Sequence, residues 1–200
     1  MKIIYLLLKF FICLLFPIHL CHAQDPVYDW SYNIGGNSAD FGEFIHGDNF
    51  GNILVTGLFS GTVDFNPGIP VANGTSIGNY DIFISKYDNN GNYLCSKQFG
   101  SIADDRSPSI VTDSLGNIYL TGEFVDSINF DSGLAVNTLY SYGNRDIFVI
   151  KLDSTGNLQW TGQIGGNFNE NNSKIVMDNV SNFIISGNFD DTTYFFFNGN

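Results

Sequence analysis

The chain of 200 residues carries 44% hydrophobic and 16% aromatic side chains, enough apolar matter for a real core and too much for bulk disorder. Its formal charge of −12 leaves no basic footprint to neutralise phosphates, which argues against nucleic acid and against electrostatic docking on anionic lipid. Lys and Arg total 8, beside 22 Gly and 19 Phe, which suits short strands and many turns.

The first element is not part of the fold. Lys2 precedes an apolar run from Ile3 to Phe16 broken by Lys9, and Cys21-His22-Ala23 offers a small-residue cleavage site before Gln24. This pattern predicts a signal peptide over 1–23, hence a secreted or cell-surface protein with no membrane insertion after cleavage. The unbroken apolar stretches are short for a membrane span. Cleavage would leave Cys95 as the sole cysteine, so no intramolecular disulfide is expected.

The rest of the chain repeats itself at an offset of 65 residues without a gap. DNFGNILVTGLF at 48–59, DSLGNIYLTGEF at 113–124 and DNVSNFIISGNF at 178–189 align, as do DIFISKYDNNGNYLC at 81–95 and DIFVIKLDSTGNLQW at 146–160. Trp30, Cys95 and Trp160 fall in register. The predicted organisation is a strand over 24–43 that would complete the last blade of a ring, blade 1 over 44–100, blade 2 over 101–166 and an incomplete blade 3 over 167–200.

Within the second unit, strands are expected at 109–113, 118–124, 146–153 and 158–165. The turns Asp113-Ser-Leu-Gly116-Asn117 and Asp153-Ser-Thr-Gly156-Asn157 share the form D-x-x-G-N, in which Asp bonds the turn backbone and Gly supplies the left-handed conformation. The unbroken apolar run Ile147 to Ile150 suits a strand covered on both faces. Four antiparallel strands per repeated unit predict an all-β fold, a β-propeller with a 65-residue repeat. Inserts at about 60–80 and 125–145 hold TVDFNPG and SINFDSG, read as small extra hairpins and as the place for an exposed binding surface. In the third unit Ser181 stands where its sisters have Gly. Two full units and part of a third fall short of the roughly four to eight blades of a closed propeller, so the chain is expected to be a piece of a longer protein.

The joint spacing of D-x-x-G-N-I-x-x-T-G-x-F at 113–124, V-D-F-N-P-G at 63–68 and D-I-F-x-x-K-x-D-x-x-G-N at 81–92 and 146–157 resembles the β-propeller repeats of bacteria called SBBP repeats. The version with this insert looks like surface proteins exported by Bacteroidota-type bacteria. The resemblance implies no catalytic residues.

Candidate chemistry is sparse. His46 is the one histidine beyond the leader, at a strand position filled by Val111 and Val176 in the sister units, and reads as a packed or rim residue. One His and one Cys do not make a zinc site. Cys95, in place of a tryptophan, reads as core. The local carboxylate pairs Asp40 with Glu43 and Glu123 with Asp126 do not recur at the offset and read as surface charge. Calcium is the sharpest option: Asp64-x-Asn66-x-Gly68 and Asn129-x-Asp131-x-Gly133 alternate oxygen ligands, though turn-building explains the same residues and the full calcium-loop pattern is absent. The expectation is therefore a non-catalytic module without a required cofactor, binding a glycan or protein or spacing a larger surface protein. The alternative is a polysaccharide-degrading propeller enzyme whose active site lies in other blades.

Overall fold

The computed structural model describes residues 29–131, 137–190 and 192–198. The predicted signal peptide lies outside the described residues. The architecture is all-β, and among the described residues no helix is long and apolar enough to cross a membrane.

Along the chain, the first unit contains β1 (Gly35–Gly36), β2 (Asp40–Gly47), β3 (Ile53–Phe59), β4 (Thr62–Asp64), β5 (Asn73–Thr75), β6 (Asp81–Tyr87) and β7 (Tyr93–Phe99). The second contains β8 (Arg106–Thr112), β9 (Ile118–Phe124), β10 (Ser127–Asn129), β11 (Thr138–Tyr140), β12 (Asp146–Leu152) and β13 (Leu158–Gly166). The third contains β14 (Glu170–Met177), β15 (Phe183–Phe189) and β16 (Thr193–Asn198). Antiparallel sheets β2-β3-β6-β7 and β8-β9-β12-β13 form two complete blades, and β14-β15 begins a third. The sheets do not close into a ring.

Burial follows the alternation of each strand between two neighbours. On β12, Phe148 and Ile150 join Leu54, Ile82 and Ile84 of the first blade in one core. Ile147 and Val149, on the other face, join Ile175 of the third. The core is thus the interface between blades, which is why the run at 147–150 is apolar throughout. Each such side chain contributes about 1.5–3 kcal/mol when fully buried. A third cluster, Phe59, Val63, Phe65 and Phe83, seats the first insert on its own blade.

The inserts do more than decorate. Their first strands cross to the sheet before: Gly35 pairs with Asp64, Gly100 bridges Asn129, and Gly165 pairs with Tyr194. These contacts repeat in register, so each unit straps itself to the tail of the preceding outer strand. In the third unit this strand is β16, which runs along β13 from Thr161 to Gly166 and makes the second sheet five-stranded.

Two expectations are corrected. The predicted strand within 24–43 is reduced, among the described residues, to Gly35–Gly36, and blade 1 begins at Asp40 rather than 44. The counterparts of Trp30, Cys95 and Trp160, pair with β6 and β12; near Trp30 no such third strand stands, and its ring stacks on Tyr32 at 5.5 Å. The residues Tyr194 to Phe197 form part of β16, with their backbone paired and their side chains exposed.

Candidate functional site

The D-x-x-G-N turns are built alike. Asp48 Oδ1 accepts the amides of Phe50 and Asn52 at 2.9 and 2.8 Å, and its Oδ2 accepts Asn52 Nδ2 at 2.8 Å. Asp88, Asp113, Asp153 and Asp178 repeat these bonds. Gly51, Gly91, Gly116 and Gly156 take the left-handed backbone, and Ser181 is held there too, at φ 66°. The Lys of the D-I-F-x-x-K phrase reaches the same carboxylate: Lys86 Nζ lies 3.1 Å from Asp48 Oδ2 with both side chains buried, and Lys151 Nζ 4.0 Å from Asp113 Oδ2. Burial opposes ionisation at Asp48 and Asp113, but hydrogen bonds from the turn, with the lysines, outweigh it and hold both carboxyls below the usual range. At half-buried Asp153 the Thr155 hydroxyl leads in lowering the carboxyl to about 2. These aspartates are turn-builders, committed by their bonds.

A second set of carboxyls lies at the blade junctions. Asp81, at the start of β6, accepts the amides of Ile77 and Gly78, and Asp105, just before β8, accepts Ser101 N at 2.8 Å. A Cβ on Gly100 would run into the Asp81 carboxyl, so both acids converge on the corner Gly100-Ser101. The next junction repeats it: Asp146 abuts Gly165, and Glu170 Oε2 accepts Gly166 N at 2.9 Å. All four residues are buried, with 0% exposure. Burial raises all four carboxyls above their ordinary range, and Asp105, facing Asp81, reaches about 8. Sequence reasoning sought acid pairs within one stretch and missed these. The available signal was register: Asp81 matches Asp146, and Asp40, Asp105 and Glu170 match one another.

Two clefts of about 730 and 570 Å³ lie one period apart, the larger beside the Asp81 corner. They occupy equivalent places. Lys97, Asp131, Asn137, Gly156, Asn157 and Leu158 line the larger, and their partners in register, Tyr32, Asn66, Ala72, Gly91, Asn92 and Tyr93, line the smaller. In each, the residue on the preceding segment lies over a turn glycine. A Cβ on Gly91 would meet the Tyr32 and Trp30 rings, and one on Gly156 would sit 3.1 Å from Lys97 Cε. The smaller cleft is aromatic and prolyl, with Tyr32 half exposed; the larger is richer in amides and charge and includes Asp81.

Of the calcium candidates, Asn66, Asn129 and Asp131 line these clefts and Asp64 does not. Asp64 Oδ1 accepts Asn66 N and Ala72 N, Asn66 Oδ1 accepts Gly68 N, and Asn66 Nδ2 donates to Pro70 O. Asn129 Oδ1 accepts Asp131 N at 2.9 Å. These bonds are those of loop closure, and among the described residues no group of three or more His, Cys, Asp or Glu is placed to hold a metal ion.

The other candidates are dispersed. His46 Nε2 accepts Thr112 N at 3.2 Å and lies 2.9 Å from Thr112 Oγ1, joining the first strands of two blades. Burial keeps its imidazole below its usual pKa, although Asp48 opposes this. Asp40 Oδ2 accepts Gly36 N, while burial raises Glu43, which faces Lys174 and Glu123. Glu123 pairs with Arg145 at 3.3 Å, and Asp126 occupies a left-handed turn at φ 64°. Cys95 is half-buried rather than core, because its strand β7 faces the thin outer edge of the blade.

Residues 96–123 match the model of the SBBP beta-propeller repeat. That stretch carries this repeat type. The SBBP stretch starts in β7 and ends in β9, so it spans the Gly100-Ser101 corner, Asp105 and the Asp113 turn, and the match falls on a blade junction rather than on one blade. The chain is also similar to an uncharacterized WD repeat-containing protein of Acanthamoeba polyphaga mimivirus, with 27% identity over 202 residues. That alignment takes in 88% of this chain but 14% of the viral protein, so the chain spans a small part of this relative's length.

Proposed function

We propose that the chain is a non-catalytic β-propeller module of an exported protein, secreted or cell-surface, whose junction clefts hold a neutral polysaccharide. The observation that carries this reading is the recurrence of one cleft in two successive units, in register and with different linings. A repeated site suits a repeated ligand, and an active site would be unique. Cleft volumes within the usual few-hundred-Å³ range of ligand sites support it. So do the exposed Tyr32 ring, amide-rich walls, and a net charge of −12 that disfavours polyanions. The predicted signal peptide supports export, and the V-D-F-N-P-G insert supports a Bacteroidota-type source. The module needs no cofactor in this reading, so calcium titrated into EDTA-treated protein is expected to give no calorimetric heat, and a saturable heat would overturn that part of it.

The test is a glycan array followed by titration calorimetry on the best binder, beside a polysaccharide turnover screen. Tyr32→Ala is expected to weaken binding about tenfold, the loss of a stacking and packing contact worth roughly 1 kcal/mol or more. Absence of any glycan binder, or binding unchanged in both Tyr32→Ala and Lys97→Ala, would overturn the cleft assignment. Turnover would overturn the non-catalytic one.

A further inference from the structure

The two acid corners ask how four buried carboxyls are tolerated. Asp105 N donates to Tyr80 O at 3.1 Å and Glu170 N to Arg145 O at 2.8 Å, so each pair is clamped across a blade junction by a backbone bond. The amides of Ile77, Gly78, Ser101, Tyr142 and Gly166 serve some carboxyl oxygens. Asp105 Oδ1 and Asp146 Oδ1 are buried without a hydrogen-bond partner. The charged neighbours are mostly acidic: Asp81 and Asp104 act on Asp105, and Asp146 and Asp190 on Glu170. Of the nearby cations, Arg106 pairs with Asp104 at 2.9 Å, and Arg145 pairs with Glu123 at 3.3 Å through Nη1 while its Nε is buried without a partner. Two carboxylates forced together out of water cannot both stay ionised, and such a pair titrates as a unit.

We propose that each junction pair, Asp81 with Asp105 and Asp146 with Glu170, holds a proton as a condition of docking one blade on the next, so that the junctions loosen as pH rises. The proton neutralises one carboxyl and supplies a donor where an acceptor oxygen now stands unpaired. The direction follows from linkage. A carboxyl raised in the folded state gives stability fully present below its unfolded pKa and lost as pH rises through the folded one, a window of about pH 4 to about 8 for Asp105. Asp40, whose Oδ2 accepts Gly36 N and whose Oδ1 is likewise buried without a partner, stands outside both pairs and is the internal control.

Hydrogen exchange on the full chain, corrected for base catalysis, reads the amides of Ser101, Asp105, Gly166 and Glu170. Their protection is expected to fall tenfold or more between about pH 5 and about pH 9. Asp105→Asn should keep the first junction's protection across that range, while Asp40→Asn should leave the wild-type loss intact. Protection that does not change with pH, or an equal loss in Asp105→Asn, would overturn the proposal. If Asp105→Asn does not fold, infrared spectroscopy of the wild type decides. A buried carboxylic-acid carbonyl band at neutral pH, vanishing on alkalinisation, supports the proton; no such band sinks it.

Discussion

Single aspartates differ widely in what they hold, although the repeat writes them identically. Asp113 is buried, bonded to Leu115 N, Asn117 N and Asn117 Nδ2, and joined by Lys151. Asp178 makes the same turn in the open. Asp113→Ala is expected to cost about 2 kcal/mol or more in urea denaturation, since bonds to a charged group are lost and buried donors stranded. Asp178→Ala should move the midpoint far less. Ser181 sits at φ 66° in its turn, so Ser181→Gly relieves a left-handed strain and should stabilise by roughly 0.5 kcal/mol. On the acid side, Asp48 and Asp113 have lowered carboxyls, so their stabilisation is present above the unfolded value and lost as pH falls through the folded one. An acid-unfolding titration should therefore show a shallower acid limb for Asp113→Asn. These turns were legible because every partner lies within a few residues. The acid corners were not, because Asp81 meets Asp105 only after a full strand and corner intervene.

At the scale of elements, β12 and β16 mark the extremes. Phe148 on β12 is fully buried between blades, and Phe148→Ala should cost about 3–5 kcal/mol through lost burial and a residual cavity. Phe195 on β16 is 63% exposed, and Phe195→Ser should change stability by no more than about 0.5 kcal/mol. Denaturant melts of both variants check the contrast. The two-sided burial of β12 was readable in its unbroken apolar run. The pairing of β16 with β13 was not, since nothing local in TYFFFN names a partner strand.

The whole molecule presents two unlike ends. Phe41, Phe44 and Ile45 stand exposed on β2, while Val176, Ile184 and Phe189 stand exposed on β14 and β15. In the interior the counterparts of Ile45 and Ile184 meet across each junction, Ile110 with Leu54 and Ile175 with Tyr119, so at these positions the two ends are complementary and heterologous. Sedimentation of the chain should show concentration-dependent association that Ile45→Lys or Ile184→Lys reduces. The period of 65 residues told the architecture; the strap between units came only from the coordinates. That strap bears on how such a gene can grow. Every period encodes both a tail that receives a hairpin and a hairpin that is given. Duplicating or deleting whole periods therefore leaves each joint matched, whatever the phase of the cut, and copy number can drift without any seam having to be redesigned.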